Sequence, residues 1–180
     1  GIRELAGAPL QWLQGSDSAG FEARGAELAA AGVPAELARR IAACNALHCS
    51  PDIVELAQSR RLKVETAARA YFGIGEYFGL DWLRAHIEGL DIEGPWHAVA
   101  RGSLREALFE VHRALAQGVL ESARENDSAG AIGRWLERNK AAAGHARAVI
   151  NDIRAQTTAI DFASLSVALQ AVRRVAVAEA

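Results

Sequence analysis

Cys44 and His48 stand four residues apart, which on a helix sets a thiolate and an imidazole on one face, and Cys49 follows directly. These are ligands zinc prefers, but a structural zinc site needs four, usually as two spaced pairs. No second pair at that spacing occurs, and Cys49 points away from the face shared by the other two. The trio reads as small buried hydrophobes and a helix-end imidazole, with no metal site. The run Gly73-Ile74-Gly75-Glu76-Tyr77-Phe78-Gly79 has the glycine content of a loop that lets backbone approach a pyrophosphate. That chemistry requires a strand before the glycines and a helix after them. Here the glycines fall inside and at the end of an amphipathic pattern with the wrong final spacing, so close helix packing and a stop at Gly79 are expected instead. His97, with Arg101 and Gly102 behind it, has the outline of a phosphotransfer bundle's exposed imidazole, one residue too long in spacing. His86, His112 and His145 have no identifiable partner in the sequence, and no Ser–His–Asp set or carboxylate pair stands out. No catalytic, cofactor-binding or metal-binding residue is assigned. The four tryptophans, Trp12, Trp82, Trp96 and Trp135, read first as core filling and second as anchors for a contact with another domain.

The elements around these residues are helical throughout. Arg3 to Gln14 and Ala19 to Ala31 are alanine-rich, separated by the turn-like Gly15-Ser16-Asp17-Ser18. Gly32 stops the second of them and Pro34 suits the first turn of the next. Leu37, Ile41, Cys44 and Leu47 share a face, Ser50 reads as a cap before Pro51 and Asp52, and that helix runs to about Arg60. Val64 to Phe78 is the clearest amphipathic helix, with apolar or small residues at steps of three and four. Asp81 reads as the cap of a short helix that turns Leu83, Ile87 and Leu90 inward. Leu104, Leu108, Val111, Leu115 and Val119 then form one stripe from about Pro95 to Ala123, roughly 42 Å of helix at the standard rise. After the polar turn Arg124 to Asp127, Ser128 opens a second long pattern through Ile132, Trp135, Leu136, Ala143, Ala146, Ile150 and Ile153, with Asn139 and Gly144 as weak points. The short turn predicts an antiparallel hairpin near residues 96–156, with Leu108 and Leu115 facing Leu136 and Ile150. Asp161 caps a last helix whose Leu165, Ala168, Leu169, Val172 and Val175 face inward. No repeat appears, so the fold expected is all-α, an antiparallel bundle of about 7–9 helices without a sheet.

Composition agrees: strong helix formers dominate the 180 residues, and there are only 4 prolines. The net charge of −2 gives no basic field for nucleic acid, and the doublets Arg39-Arg40, Arg60-Arg61 and Arg173-Arg174 are interleaved with acids, as on solvated helix faces. No run of 18 uncharged apolar residues suggests a membrane span, and no leader pattern opens the chain, so a soluble, cytoplasmic protein is expected. Two cysteines suggest no disulfide framework. The chain has no methionine and opens inside an amphipathic stretch, which leads us to expect one helical domain, 1–180, excised from a longer protein. Asp91 to Pro95 is the candidate boundary if it subdivides into a short-helix part, 1–92, and a long-helix bundle, 95–180.

Five blocks carry a family resemblance: Gly32 to Ala38, Pro51 to Ala57, Tyr71 to Gly75, Leu80 to Leu83, and Asp161 to Leu169. In order and spacing they resemble the C-terminal region of the large bacterial NAD-specific glutamate dehydrogenases, over roughly Gly32 to Val175. Cys44, His48 and Cys49 depart from the small or apolar residues expected there. The resemblance implies a parent enzyme that oxidatively deaminates L-glutamate to 2-oxoglutarate and ammonia while reducing NAD. Its catalytic lysine and aspartate and its nucleotide-binding sheet would lie upstream, and none of those motifs is in this chain. The expectation is an accessory, non-catalytic C-terminal domain without a cofactor of its own, packed on other domains of its chain and on neighbouring subunits of a homo-oligomer. The alternatives are a free-standing helical interaction module and a phosphotransfer-type bundle built on His97.

Overall fold

A computed structural model of the chain describes residues 18–44, 49–90, 97–156 and 160–178. Among the described residues there are nine helices and no strand: α1 Ser18–Ala30, α2 Ala35–Cys44, α3 Cys49–Arg60, α4 Val64–Phe78, α5 Leu80–Glu88, α6 His97–Leu120, α7 Ser128–Arg138, α8 Lys140–Arg154 and α9 Phe162–Val177. The all-helical bundle expected from the sequence is what forms. Arg3 to Gln14 and the candidate boundary Asp91 to Pro95 lie outside the described residues.

The helix ends follow local chemistry. Gly32, at φ +101°, ends α1: its N–H donates to Ala29 and the N–H of Val33 reaches back to Leu28, the paired bonds that close a helix through a left-handed residue. The same pair of bonds ends α3, with Leu62 donating to Ala57. There Arg61 takes the left-handed position at φ 56°. Ser50 was expected to cap α3, but the helix already starts at Cys49. Asp81 is likewise not a cap. Gly79, at φ 70° and ψ 34°, both ends α4 and precedes α5, so Asp81 falls inside the first turn and pairs with Arg84 at 3.2 Å. Asp161 caps as expected, accepting from the N–H of Ser164 at 2.8 Å, and Asp127, read in the sequence as the end of a polar turn, also caps, accepting from the N–H of Gly130 at 2.9 Å. The bonds from Ser164 hold the exposed Asp161 carboxyl below its ordinary pKa.

The hairpin near 96–156 has one long arm and one divided arm. α6 spans 24 residues, about 36 Å. The second arm breaks at Asn139, one of the two weak points in the sequence. The buried Asn139 amide donates to the carbonyl of Trp135 at 2.9 Å, sharing that acceptor with the residue's own backbone N–H at 3.1 Å, and its backbone, at φ −110° and ψ 25°, leaves helical geometry there. α7 packs on α6 as a hairpin partner should, whereas α8, which carries Ile150, packs chiefly on α9 and also on α4. Gly144 remains helical.

α4 is the central element, packed against α2, α3, α5, α6, α7 and α8. Tyr71, Ile74 and Phe78 are almost wholly buried on it, and the apolar core runs from Leu28 on α1 to Val175 on α9. Side chains fasten the joints between helices. Arg105 grips the Glu88 carboxylate with two bonds of 2.5 Å, fixing α6 to α5. Arg101 donates to the carbonyl of Leu90 at 2.7 Å. The turn after α6 is tied on both sides. Arg134 donates twice to the Ser122 carbonyl, at 3.0 and 2.6 Å, and Arg138 donates to the Ser122 hydroxyl. Asn126 accepts from the backbone N–H of Lys63 at 2.9 Å and from the Thr66 hydroxyl at 3.1 Å.

Candidate functional site

Among the described residues two features qualify as candidate sites: a polar knot in the core and an apolar groove at the surface. The knot is built where α4, α5 and α6 meet. His112 is 3% exposed, and its ring lies nearly flat on Tyr71, 5.1 Å between centroids and 19° between planes. Burial lowers the His112 pKa to about 4. The nearby Asp81 carboxylate raises it and Arg84 lowers it further. The imidazole is therefore neutral at physiological pH, and its Nδ1 is buried without a hydrogen-bond partner. Asp81 and Arg84 are engaged with each other, with the Arg84 side chain almost fully buried. A neutral ring stacked on Tyr71 and buried between helices joins α4 to α6.

Gly75 explains how the ring fits. A Cβ at that position would stand 2.6 Å from Cε1 of His112, and one at Gly73 would stand 3.0 Å from Cδ1 of Ile132. The glycines that look like a nucleotide fingerprint thus serve close approach of α4 to α6 and α7. Gly75→Ala should therefore destabilise the chain by about 1 to 3 kcal/mol in urea denaturation, since overpacking against a buried ring outweighs the better helix propensity of alanine. At Gly144 nothing lies within 4 Å of where an added methyl group would stand, so Gly144→Ala should stabilise by up to about 1 kcal/mol. Stabilisation by alanine at both positions would refute the packing role of Gly75.

The second feature lies between α6 and α9. Leu104, Val111 and Leu169 floor a groove whose walls carry the small residues Ser103, Ala107 and Ser166, and whose volume is about 370 Å³. Phe162 and Val177, the first and last residues of α9, both line it, so the groove follows that helix along its length. Phe162 is 40% exposed and Val177 65%. Glu110 and Arg173 supply one charge of each sign.

The residues singled out in the sequence are otherwise scattered. Cys44 ends α2, Cys49 opens α3 and His97 opens α6. Their side chains, His48, Trp12 and Trp96 fall outside what is described. Trp135 is buried, with Nε1 only 2.7 Å from where a Cβ on Gly118 would lie, so it fills the α6–α7 joint. Trp82 is half-buried, tilted over His86 at 4.2 Å between centroids, with Arg154 at 5.7 Å. His86 Nδ1 bonds the Trp82 carbonyl, and His145 is exposed. The arginine doublets are solvated but not idle: Arg40 pairs with Glu76 at 2.7 Å and Arg60 with Glu121 at 3.1 Å. Among the described residues no cluster of His, Cys, Asp and Glu could hold a metal ion, and no helix is long and apolar enough to cross a membrane.

Sequence reasoning missed the knot. Its signal was present, because His112 lies four residues after Leu108 and three before Leu115, on the same buried stripe.

Comparison with known proteins gives a single answer. The family model described as glutamate dehydrogenase, C-terminal, matches residues 1–174. The NAD-specific glutamate dehydrogenase of Mycobacterium tuberculosis is 30% identical over 174 residues, covering 96% of this chain and 11% of that enzyme. The NAD-specific glutamate dehydrogenase of Pseudomonas aeruginosa is 31% identical over 157 residues, 87% of this chain and 10% of that enzyme. That of Halomonas elongata is 30% identical over 125 residues, 69% of this chain and 8% of the enzyme. The chain spans about a tenth of the length of these relatives. An all-α bundle with this extent of match belongs to the family of C-terminal domains of the NAD-specific glutamate dehydrogenases.

Proposed function

We propose that residues 1–180 form one accessory helical domain of an NAD-dependent glutamate dehydrogenase, holding the assembly together or transmitting control to a catalytic part elsewhere in the chain. The parent would convert L-glutamate to 2-oxoglutarate and ammonia with reduction of NAD in the cytoplasm, with the catalytic groups and the NAD site outside this domain. Its partners would be other domains of the same polypeptide and neighbouring subunits of a homo-oligomer. The observation that carries the reading is the family match over residues 1–174 to a region that is only about a tenth of each relative. The employment of the buried polar groups supports it: His112 stacks on Tyr71, and Arg84 and Asp81 pair with each other. Such groups contribute to packing and are not free to meet substrate.

The test uses the full-length enzyme. His112→Gln should leave kcat and the KM values for glutamate and NAD within about twofold while lowering the temperature of thermal inactivation, because it perturbs a buried joint remote from the chemistry. A loss of kcat at an unchanged inactivation temperature would overturn the accessory reading, as would glutamate-dependent NAD reduction by the 1–180 chain alone.

A further inference from the structure

The four large apolar side chains that stand exposed among the described residues, Val99, Phe162, Val167 and Val177, all lie on α6 and α9. Val99 is one helical turn before Ser103, so it prolongs the α6 wall of the groove. A soluble domain seldom gathers its exposed apolar side chains on one pair of helices unless something covers them. We infer that the α6–α9 groove is the surface on which this domain docks, and that its occupant is an amphipathic helical segment of the same polypeptide from outside residues 1–180. The inference rests on the reading above, that the domain is part of a longer dehydrogenase.

Three observations choose this occupant. The first is size. α9 has 16 residues, about 24 Å of helix, and packed helices are separated by roughly 10 Å, so the groove offers on the order of 240 Å². A stable complex between free molecules needs about 800 Å² from each partner, which makes a second copy docking through this groove alone too weak. The second is tethering. The matched relatives extend about tenfold beyond the matched region, and a segment on the same chain is presented at an effective concentration that a small interface can use. The third is charge. Glu110 and Arg173 cancel, so the groove has no net field with which to select an acidic or basic partner and is suited to an apolar helix stripe.

The experiment is photocrosslinking in the full-length enzyme, with p-benzoyl-phenylalanine replacing Val177 in one preparation and Glu125, an exposed residue of the turn before α7, in another. A mixture of isotopically light and heavy chains distinguishes links within a chain from links between chains. The expected result is a crosslink from position 177 to a segment of the same chain outside residues 1–180, several-fold more abundant than from position 125. Crosslinks from position 177 that join two chains, or that stay within residues 1–180, would overturn the inference. If position 125 reaches the rest of its own chain and position 177 does not, the domain docks by another face and the accessory reading survives alone. Absence of links to the rest of the chain from both positions would remove both.

Discussion

Leu115→Ala should lower the unfolding free energy of the chain by about 2 to 5 kcal/mol, measured by urea denaturation with circular dichroism. Leu115 is fully buried on α6, and α6 is held by α3, α4, α5, α7 and α9. Walls supplied by so many helices cannot all move inward when three carbon atoms are removed, so much of the cavity would persist. Val99→Ala on the same helix, at a site 61% exposed, is the control and should change stability by no more than about 0.5 kcal/mol. An effect of that small size at Leu115 would mean that the middle of α6 is not packed as described.

Acidification should destabilise the chain through His112. Its folded pKa of about 4 lies below the ordinary value of 6.5, so between those limits the unfolded chain binds more protons than the folded one. Stability is therefore highest above pH 6.5, falls as the pH drops toward 4, and levels off below that as far as this group is concerned. The separation of the two values corresponds to a loss on the order of 3 kcal/mol. His112→Gln should remove most of the pH dependence across this window when unfolding is followed at several pH values. If the variant kept the full slope, the acid sensitivity would belong to other groups and the ring would not be buried as described.

Where local chemistry dominates, the sequence was legible. The bounds of the amphipathic pattern, Val64 to Phe78, are those of α4, Asp161 caps where a short acid precedes a helical pattern, and Gly32 and Gly79 take the left-handed positions suited to glycine. Asp81 misled because the chain turns from α4 into α5 through Gly79 alone, with no room for a separate cap, leaving the carboxylate to pair with Arg84. The long second arm was half right. Asn139 and Gly144 both look weak by propensity, but only Asn139 has an amide that can bond back to the Trp135 carbonyl beside its own backbone N–H and hold a non-helical φ, ψ. The candidate site was almost illegible. Phe162 and Val177 are unremarkable members of α9 until that helix lies along α6, a pairing between segments more than forty residues apart that no local pattern specifies. His112 looked solitary because its partners Tyr71 and Asp81 come from other helices.

The turn from Glu121 to Asp127 has a practical consequence for anyone who engineers this protein. Glu125 and Asn126 are exposed and both left-handed, which marks the kind of loop tip usually chosen for inserting a tag, a fluorescent protein or new chain ends. Here the loop doubles as a clasp. Asn126 holds the start of α4 through Lys63 and Thr66, while Ser122 is held by Arg134 and Arg138 from α7. An insertion would pull on the central helix and on the α6–α7 joint together, so Ala141 and its exposed neighbours on α8 are the better place for a surface label.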